Sequence, residues 1–394
     1  MIALILVLLL APAACGAPQH PSRSAPDPRV VGYFTDWGVY GRNFQVRELD
    51  TSGAADRLTH LMYAFGGVRN GRCTTADPWA DYQRPVPAAQ SVDGTADPTT
   101  GTGLRGTIGQ LRELKARHPH LKVLWSFGGW TGSAGFARAA ADPATFAASC
   151  KALLDDERWS GVFDGVDIDW EYPNACGSSC DTSGPGALPG LLAALRTAFG
   201  PDRLITAAAP GDLRKLTAGG FADAARSVDW FGAMTYDYFG TADPAGPTAP
   251  HSPLTAYPGI PQDDGTTEST IAAMLDLGIP SDKILLGIGF YGRGWTGVAD
   301  PAPGGRAAGQ AAGRYEKGIE DYEILATRCP PTGTVGGTGY AHCGDQWWGF
   351  DTPDTIAAKM AYARKESLGG AFAWELSGDT PRSALLTAMS SGLR

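Results

Sequence analysis

From Val30 onward, short apolar runs alternate with stretches of helical spacing, which is the pattern of repeated βαβ units. The runs predicted as strands are Val30–Phe34, His60–Phe65, Lys122–Phe127, Gly165–Trp170, Leu204–Ala209, Trp230–Tyr236, Ile284–Gly289 and Gly370–Glu375. Predicted helices are Gly109–His118, Pro143–Asp155, Leu188–Phe199, Thr267–Leu277 and Asp354–Glu366. The second carries a start signal, Asp142 as N-cap with Pro143 at the first helical position. No helix is marked after the first strand. Eight strands with intervening helices fit a closed TIM (β/α)8 barrel better than an open sheet, and 394 residues suit one such barrel with insertions.

Two connections are too long to be simple loops. Gly66 to Gly103 is polar and turn-rich and contains Cys73. Trp295 to Pro353 holds Cys329, Cys343 and the run Gln346-Trp347-Trp348-Gly349-Phe350, enough for a small α+β subdomain between the last two strands. Residues 30–394 are therefore expected to form one catalytic-size barrel, with 295–353 as an insertion and no second domain before Arg394. Trp347 and Trp348 are assigned to the insertion's core.

The first residues read as an export signal. Ile2 to Leu10 is continuously apolar, too short to span a bilayer, and Ala13-Ala14-Cys15 follows. That triplet is like a lipoprotein cleavage site, which would put a lipid anchor on Cys15, although Pro12 fits it poorly; cleavage after Ala13 or Ala17 is the alternative. Residues 1–17 are taken as signal and 18–29, rich in Pro, Ser and Ala, as a disordered linker. A secreted chain with no membrane span is expected. Setting Cys15 aside, an even set of cysteines remains, which in an exported chain suggests disulfides. Loop proximity favours Cys176–Cys180 and Cys329–Cys343, leaving Cys73–Cys150; free core thiols are the alternative. The cysteine spacing matches no zinc pattern, so neither metal nor cofactor is expected. The net charge of −9, with no run of Lys or Arg, argues against a nucleic-acid partner.

The most informative stretch is Asp164-Gly165-Val166-Asp167-Ile168-Asp169-Trp170-Glu171-Tyr172-Pro173. Alternate side chains of a strand share a face, which puts Asp167, Asp169 and Glu171 together, opposite Val166, Ile168 and Trp170. Three carboxylates on one buried face persist only if protons are shared or charge is neutralised, and either shifts their pKa values. Such a face can hold a carboxylic acid protonated near neutral pH. A solvated acidic edge strand would not carry three apolar residues opposite, and Mg²⁺ or Ca²⁺ sites draw their ligands from loops. Asp164 breaks the alternation and is assigned a structural role.

The pattern Asp-Gly-x-Asp-x-Asp-x-Glu resembles the signature of glycoside hydrolase family 18, on the fourth predicted strand. Ser126-Phe127-Gly128-Gly129-Trp130 resembles the family's third-strand motif, and Met234-Thr235-Tyr236-Asp237 its sixth. Phe290-Tyr291-Gly292-Arg293-Gly294-Trp295 resembles the seventh, Gly370-Ala371-Phe372-Ala373-Trp374-Glu375 the eighth, and the insertion that of the deep-cleft bacterial chitinases. The resemblance implies retaining, substrate-assisted hydrolysis of β-1,4-linked N-acetylglucosamine in chitin and chitooligosaccharides by a monomer. Glu171 would be the proton donor and Asp169 would orient the substrate's acetamido group. Asp167 would share a proton with Asp169, while Tyr236 and Asp237 would hold the attacking pose. Trp374 would floor the cleavage point and Trp130 and Trp37 would line flanking subsites. Tyr33, Phe65, Met234, Tyr291 and Arg293 would shape the pocket.

There are three rival readings, the first two on the same fold. An enzyme cleaving the chitobiose core of N-glycans lacks the insertion and the Met-x-Tyr-Asp context, a chitin-binding lectin typically loses the acid, and a peptidoglycan hydrolase usually carries wall-binding repeats. One departure from the family stands out: no Trp follows Asp237 in Tyr238-Phe239-Gly240-Thr241-Ala242-Asp243, so Tyr238 or Phe239 would take its place on the leaving side or that subsite would be weaker.

Overall fold

The computed structural model describes residues 27–101 and 103–394. The signal at 1–17, Cys15 and the linker up to residue 26 lie outside the described residues. Eight parallel strands form the barrel: β1 (Arg29–Thr35), β2 (His60–Arg69), β3 (Lys122–Gly128), β4 (Gly165–Asp169), β5 (Leu204–Ala209), β6 (Trp230–Ala233), β7 (Ile284–Gly289) and β8 (Gly370–Trp374). β1 pairs with β2 on one side, Val31 opposite His60, and with β8 on the other, Arg29 opposite Gly370. Closure leaves the barrel without a free edge.

All eight predicted strands are present, and three stop short of their predicted ends, β8 by the single residue Glu375. β6 was expected to reach Tyr236, but the Thr235 N–H turns back to Ala233 O and its hydroxyl donates to Gly287 O at 2.8 Å, which ends the ladder. β4 ends at Asp169, because Trp170 leaves to stack on Phe136 at 5.3 Å and the Glu171 N–H is taken by Ser133 Oγ. The helices Gly106–Arg117, Pro143–Leu154, Ala187–Phe199, Thr267–Asp276 and Pro353–Lys365 lie where periodicity put them. Asp142 caps the second by accepting the Thr145 N–H at 3.2 Å. After β1 there are only short pieces, Val46–Thr51 and Ala54–Arg57, too brief to show a helical period.

The core has two layers. Val166 and Ile168 of β4 face outward into the large layer between strands and helices, with Trp125, Phe127, Phe146 and Leu191. Inside the barrel, Val31, Tyr33, Met62, Leu124, Trp230, Leu285 and Phe372 fill the lumen. This is the alternation expected of barrel strands, and it directs Asp167 and Asp169 inward.

Between β7 and β8 the chain builds a six-stranded antiparallel sheet running from Tyr291 to Phe350, with one helix, Tyr322–Arg328. It starts at Tyr291 rather than at the predicted Trp295. The stretch Tyr291–Thr296 pairs with Ile319–Asp321 and Gln346–Phe350, so the seventh motif, which directly follows β7, supplies the first insertion strand. Trp347 and Trp348 are fully buried there. Just beyond the sheet, Asp351 and Lys359, both fully buried, pair at 2.6 Å and share Ser252. Part of the long connection after Gly66 is a hairpin, Arg72–Thr75 pairing back on β2. Disulfides join Cys73 to Cys150, Cys176 to Cys180 and Cys329 to Cys343.

Candidate active site

The acids of the fourth motif sit at three depths. Asp167 is deepest. Its carboxylate accepts hydroxyls from Tyr33 on β1 (2.9 Å), Ser126 on β3 (2.7 Å) and Thr206 on β5 (2.5 Å). Burial pushes its pKa up and the three hydroxyls pull against that shift. Asp169, one step nearer the rim, is 5% exposed and its Oδ1 has no hydrogen-bond partner. Burial, then the charges of Glu171 and Asp167, push its carboxyl well above the usual range.

Glu171 lies past the end of the strand and faces the rim, its N–H donated to Ser133 Oγ at 2.8 Å. Burial raises its carboxyl to about 7; the Tyr172 hydroxyl opposes this, Asp237 adds to it and Lys215 pulls it back. The Asp167 oxygens are filled by hydroxyls from three strands, and the charge Asp169 meets most strongly is that of Glu171.

Across the opening, Tyr236 and Asp237 follow β6. Asp237 has φ of 59°, a left-handed conformation that turns its side chain back over the rim. Its carboxylate accepts two bonds from Arg293 (2.8 and 2.6 Å) and one from the Tyr291 hydroxyl (2.7 Å), and its N–H points at His251 Nδ1 at 3.3 Å. Burial opposes ionisation here, but the Arg293 charge, with hydrogen bonds from His251 and Arg293, holds this carboxyl well below the usual carboxylate range. Asp237 is thus a fixed anion facing an acid that is half protonated near neutrality. Burial keeps the Tyr236 phenol protonated, with the nearby Tyr291, Asp169 and Glu171 acting in the same direction.

These groups open into a cleft of about 920 Å³ at the C-terminal end of the strands, where barrels of this kind place their sites. Trp374 stacks on Phe65 at 5.6 Å, and Trp37 tilts against both. Trp37 is 43% and Trp130 53% exposed, so both offer open faces rather than core packing. Met234 and Arg293 complete the predicted lining. Two predicted residues lie behind the wall: Tyr33 packs edge-on under Trp374 at 5.3 Å, and Asp167 is beneath the floor. Tyr291 lines a neighbouring recess with Trp37 and Arg293.

Tyr238 and Phe239 both reach the cleft. The Tyr238 hydroxyl is tied to Thr270 at 2.6 Å, which leaves Phe239 the freer aromatic of the two. Sequence reasoning missed Tyr172, Lys215, His251, Glu316 and Ile319. Tyr172 adjoins the acid and could have been included with it. Glu316 and Ile319 come from the insertion, far along the chain, and nothing in their local pattern marks them. Among the described residues, no group of three His, Cys, Asp or Glu could hold a metal ion.

An independent comparison bears on the same residues. The family model for glycosyl hydrolases family 18 matches residues 29–379. The chain belongs to that family. It is 55% identical to Chitinase 63 of Streptomyces plicatus over 368 residues, covering 92% of this chain and 60% of the relative. It is 56% identical to Chitinase C of Streptomyces lividans, covering 89% of this chain and 57% of that one. The chain therefore spans somewhat under two thirds of the length of these relatives. Among solved structures, the catalytic domain of psychrophilic chitinase B from Arthrobacter TAD20 superposes with a TM-score of 0.88 at 33% identity, covering 94% of this chain and 96% of that domain.

Proposed function

We propose that this chain hydrolyses β-1,4 linkages between N-acetylglucosamine units of chitin and chitooligosaccharides, with retention and with the substrate's own acetamido group as nucleophile. The observation that carries this reading is Glu171, a carboxyl raised to about 7 at the rim of an aromatic-walled cleft, beside a buried Asp169 with an unpartnered oxygen. Glu171 protonates the glycosidic oxygen as the bond breaks, and the acetamido carbonyl oxygen closes on the anomeric carbon to give an oxazolinium ion. The free Asp169 Oδ1 accepts the acetamido N–H and stabilises the charge that develops there. Tyr236 and the anchored Asp237 fix the acetamido group against the anomeric carbon, a proximity effect. Glu171, now ionised, then takes a proton from the water that opens the ring. Asp167, held by three hydroxyls, keeps the floor beneath Asp169 in place.

Trp374 forms the floor of the cleavage point, with Trp37 and Trp130 stacking sugars on either side of it. The lining of aromatic faces and acids, with its cations few, suits a neutral sugar polymer rather than a nucleic acid. Export from the cell, with a lipid on Cys15 or without one, is part of the same proposal. It is supported by the apolar N-terminal run and by three disulfides, and a monomer suffices because one chain supplies every group named.

The test is the first product formed from chitin hexamer labelled at its reducing end, followed by mass spectrometry and proton NMR. Retention predicts an initial β-anomer, with cellulose hexamer left uncut. An initial α-anomer, or cutting of both polymers, would overturn the mechanism.

A further inference from the structure

We propose that Lys215 is the positioning residue of this site, holding Tyr172 beside Glu171 and favouring return of the Glu171 carboxylate between the two halves of the reaction. The proposal rests on the reading of Glu171 as acid and base given above.

The short helix Leu213–Ala218 follows β5 and puts Lys215 on the same wall of the cleft as Glu171 and Tyr172. The nearest acid in sequence is already occupied: Asp212 accepts the Arg214 N–H at 2.9 Å and binds its guanidinium at 3.2 and 3.0 Å. Arg293, the other cation of the cleft wall, is paired with Asp237. Lys215 has no ion pair among the described residues. Its ammonium lies instead over the Tyr172 ring, 4.0 Å from the centroid, on the residue bonded to Glu171. A half-buried lysine with no carboxylate partner, resting on an aromatic face inside an acidic cleft, is costly unless its charge has a use.

The surroundings define that use. Glu171 is faced by Asp169 from β4, by Tyr172, by Tyr236 and Asp237 after β6 with Arg293 behind them, and by Lys215. Lys215 is faced by Asp212 and Arg214 of its own turn, by Glu171 and Tyr172, and by Tyr238 and Asp264 across the recess. Asp169 and Asp237 place negative charge near Glu171, and the Arg293 cation is neutralised by Asp237. The Tyr172 hydroxyl and, as the unpaired cation on this wall, Lys215 are then the groups that make a bare Glu171 carboxylate tolerable, and the charges of Glu171 and Lys215 each act on the other. Glu171 has to be protonated when the bond breaks and ionised when water attacks. An acid crowded only by other acids would do the first and fail the second.

The experiment compares wild type, Lys215→Met and Lys215→Arg over a range of pH on a fluorogenic chitobioside. The alkaline limb of kcat/KM reports the proton on the free enzyme's acid. In Lys215→Met that limb should move to higher pH by roughly half a unit, the effect of losing one partly screened charge, while kcat below neutrality falls. Lys215→Arg should restore both. An alkaline limb that stays in place in Lys215→Met, with or without a rise in KM, overturns the proposal, since a simple sugar contact would change KM alone. A wild type inert on chitin oligomers would overturn the reading of Glu171 and this proposal together. An active wild type with an unmoved limb overturns this one only.

Discussion

Strand β4 begins and ends on acids, and the two ends are furnished in opposite ways. Where the strand begins, Asp164 accepts the Val123 N–H at 2.8 Å and the Lys115 ammonium at 2.6 Å, with Lys122 at 3.6 Å. The same arrangement recurs before β6, where Asp229 accepts the Ile205 N–H at 2.7 Å and the Arg196 guanidinium at 2.7 Å. Before β2, Thr59 does this with a hydroxyl, accepting the Val30 N–H at 2.9 Å. Each residue pins the start of one strand to the neighbouring strand. Where β4 ends, Asp169 has an oxygen without a donor, and Glu171 is pushed to about 7. Protein donors saturate the acid at one end of β4 and leave those at its other end short. Unsatisfied buried acids cost stability, so a fold keeps them where chemistry needs them.

Breaking the rim end should have the larger consequence. Glu171→Gln removes the transferable proton of the rim acid, and the rate should fall by roughly 10² to 10⁴ while oligosaccharide affinity stays within a few fold. Steady-state kinetics with calorimetric binding measures both. A variant keeping a tenth of the wild-type rate would remove Glu171 from its role and the contrast with it.

Breaking the other end should do the reverse. Asp164→Ala strands the Val123 N–H and the Lys115 ammonium, for a loss of about 1–3 kcal/mol in unfolding free energy. Turnover at 25 °C should be unchanged, because the site lies at the far end of the strand. Urea unfolding and a single rate assay decide it. Unaltered stability with reduced turnover would mean that the two ends do not divide the work as described.

The division also marks what could be read from sequence. The strands were legible because each is a short apolar run punctuated by turns, and the acidic motif because alternation on a strand is regular: Asp167 and Asp169 point where that rule sends them. The rule fails at Glu171, which leaves the ladder once Ser133 takes its N–H, a contact made by a residue distant in sequence. It fails likewise beyond Ala233, where Thr235 replaces a strand bond with its own hydroxyl. The insertion was placed by its length, but its start was missed because only Phe290 separates the end of β7 from the first insertion strand, and no turn signal divides them. Lys215 was not legible at all. It is one lysine on a short helix between two barrel strands, and only the folded chain shows that Asp212 is already taken and that the Tyr172 ring lies beneath its ammonium.

The smallest effect sharpens the comparison from the rim side, through stability rather than rate. The Glu171 carboxyl titrates near 4.5 when unperturbed and near 7 in the folded chain, so the folded state binds this proton more tightly than the unfolded state does. Stability from this group is therefore fully present below about pH 4.5, declines as pH rises through the interval, and is lost above about 7. Gln cannot ionise and escapes that decline. Near pH 4.5, where Glu171 is protonated and nearly isosteric with Gln, wild type and Glu171→Gln should melt together. At pH 8 the variant should be the more stable by on the order of 1 kcal/mol, since the rim carboxylate is largely buried but keeps some contact with water. In a chain of this size that is a rise in Tm of roughly 1–2 °C. Removing the Glu171 charge also relieves Asp169, which adds to the effect with the same sign. Calorimetric scans of both proteins at the two pH values give the difference directly. A difference that does not change with pH, or a variant less stable at pH 8, would show that the rim acid is as well partnered as Asp164 and that the two ends do not differ in kind.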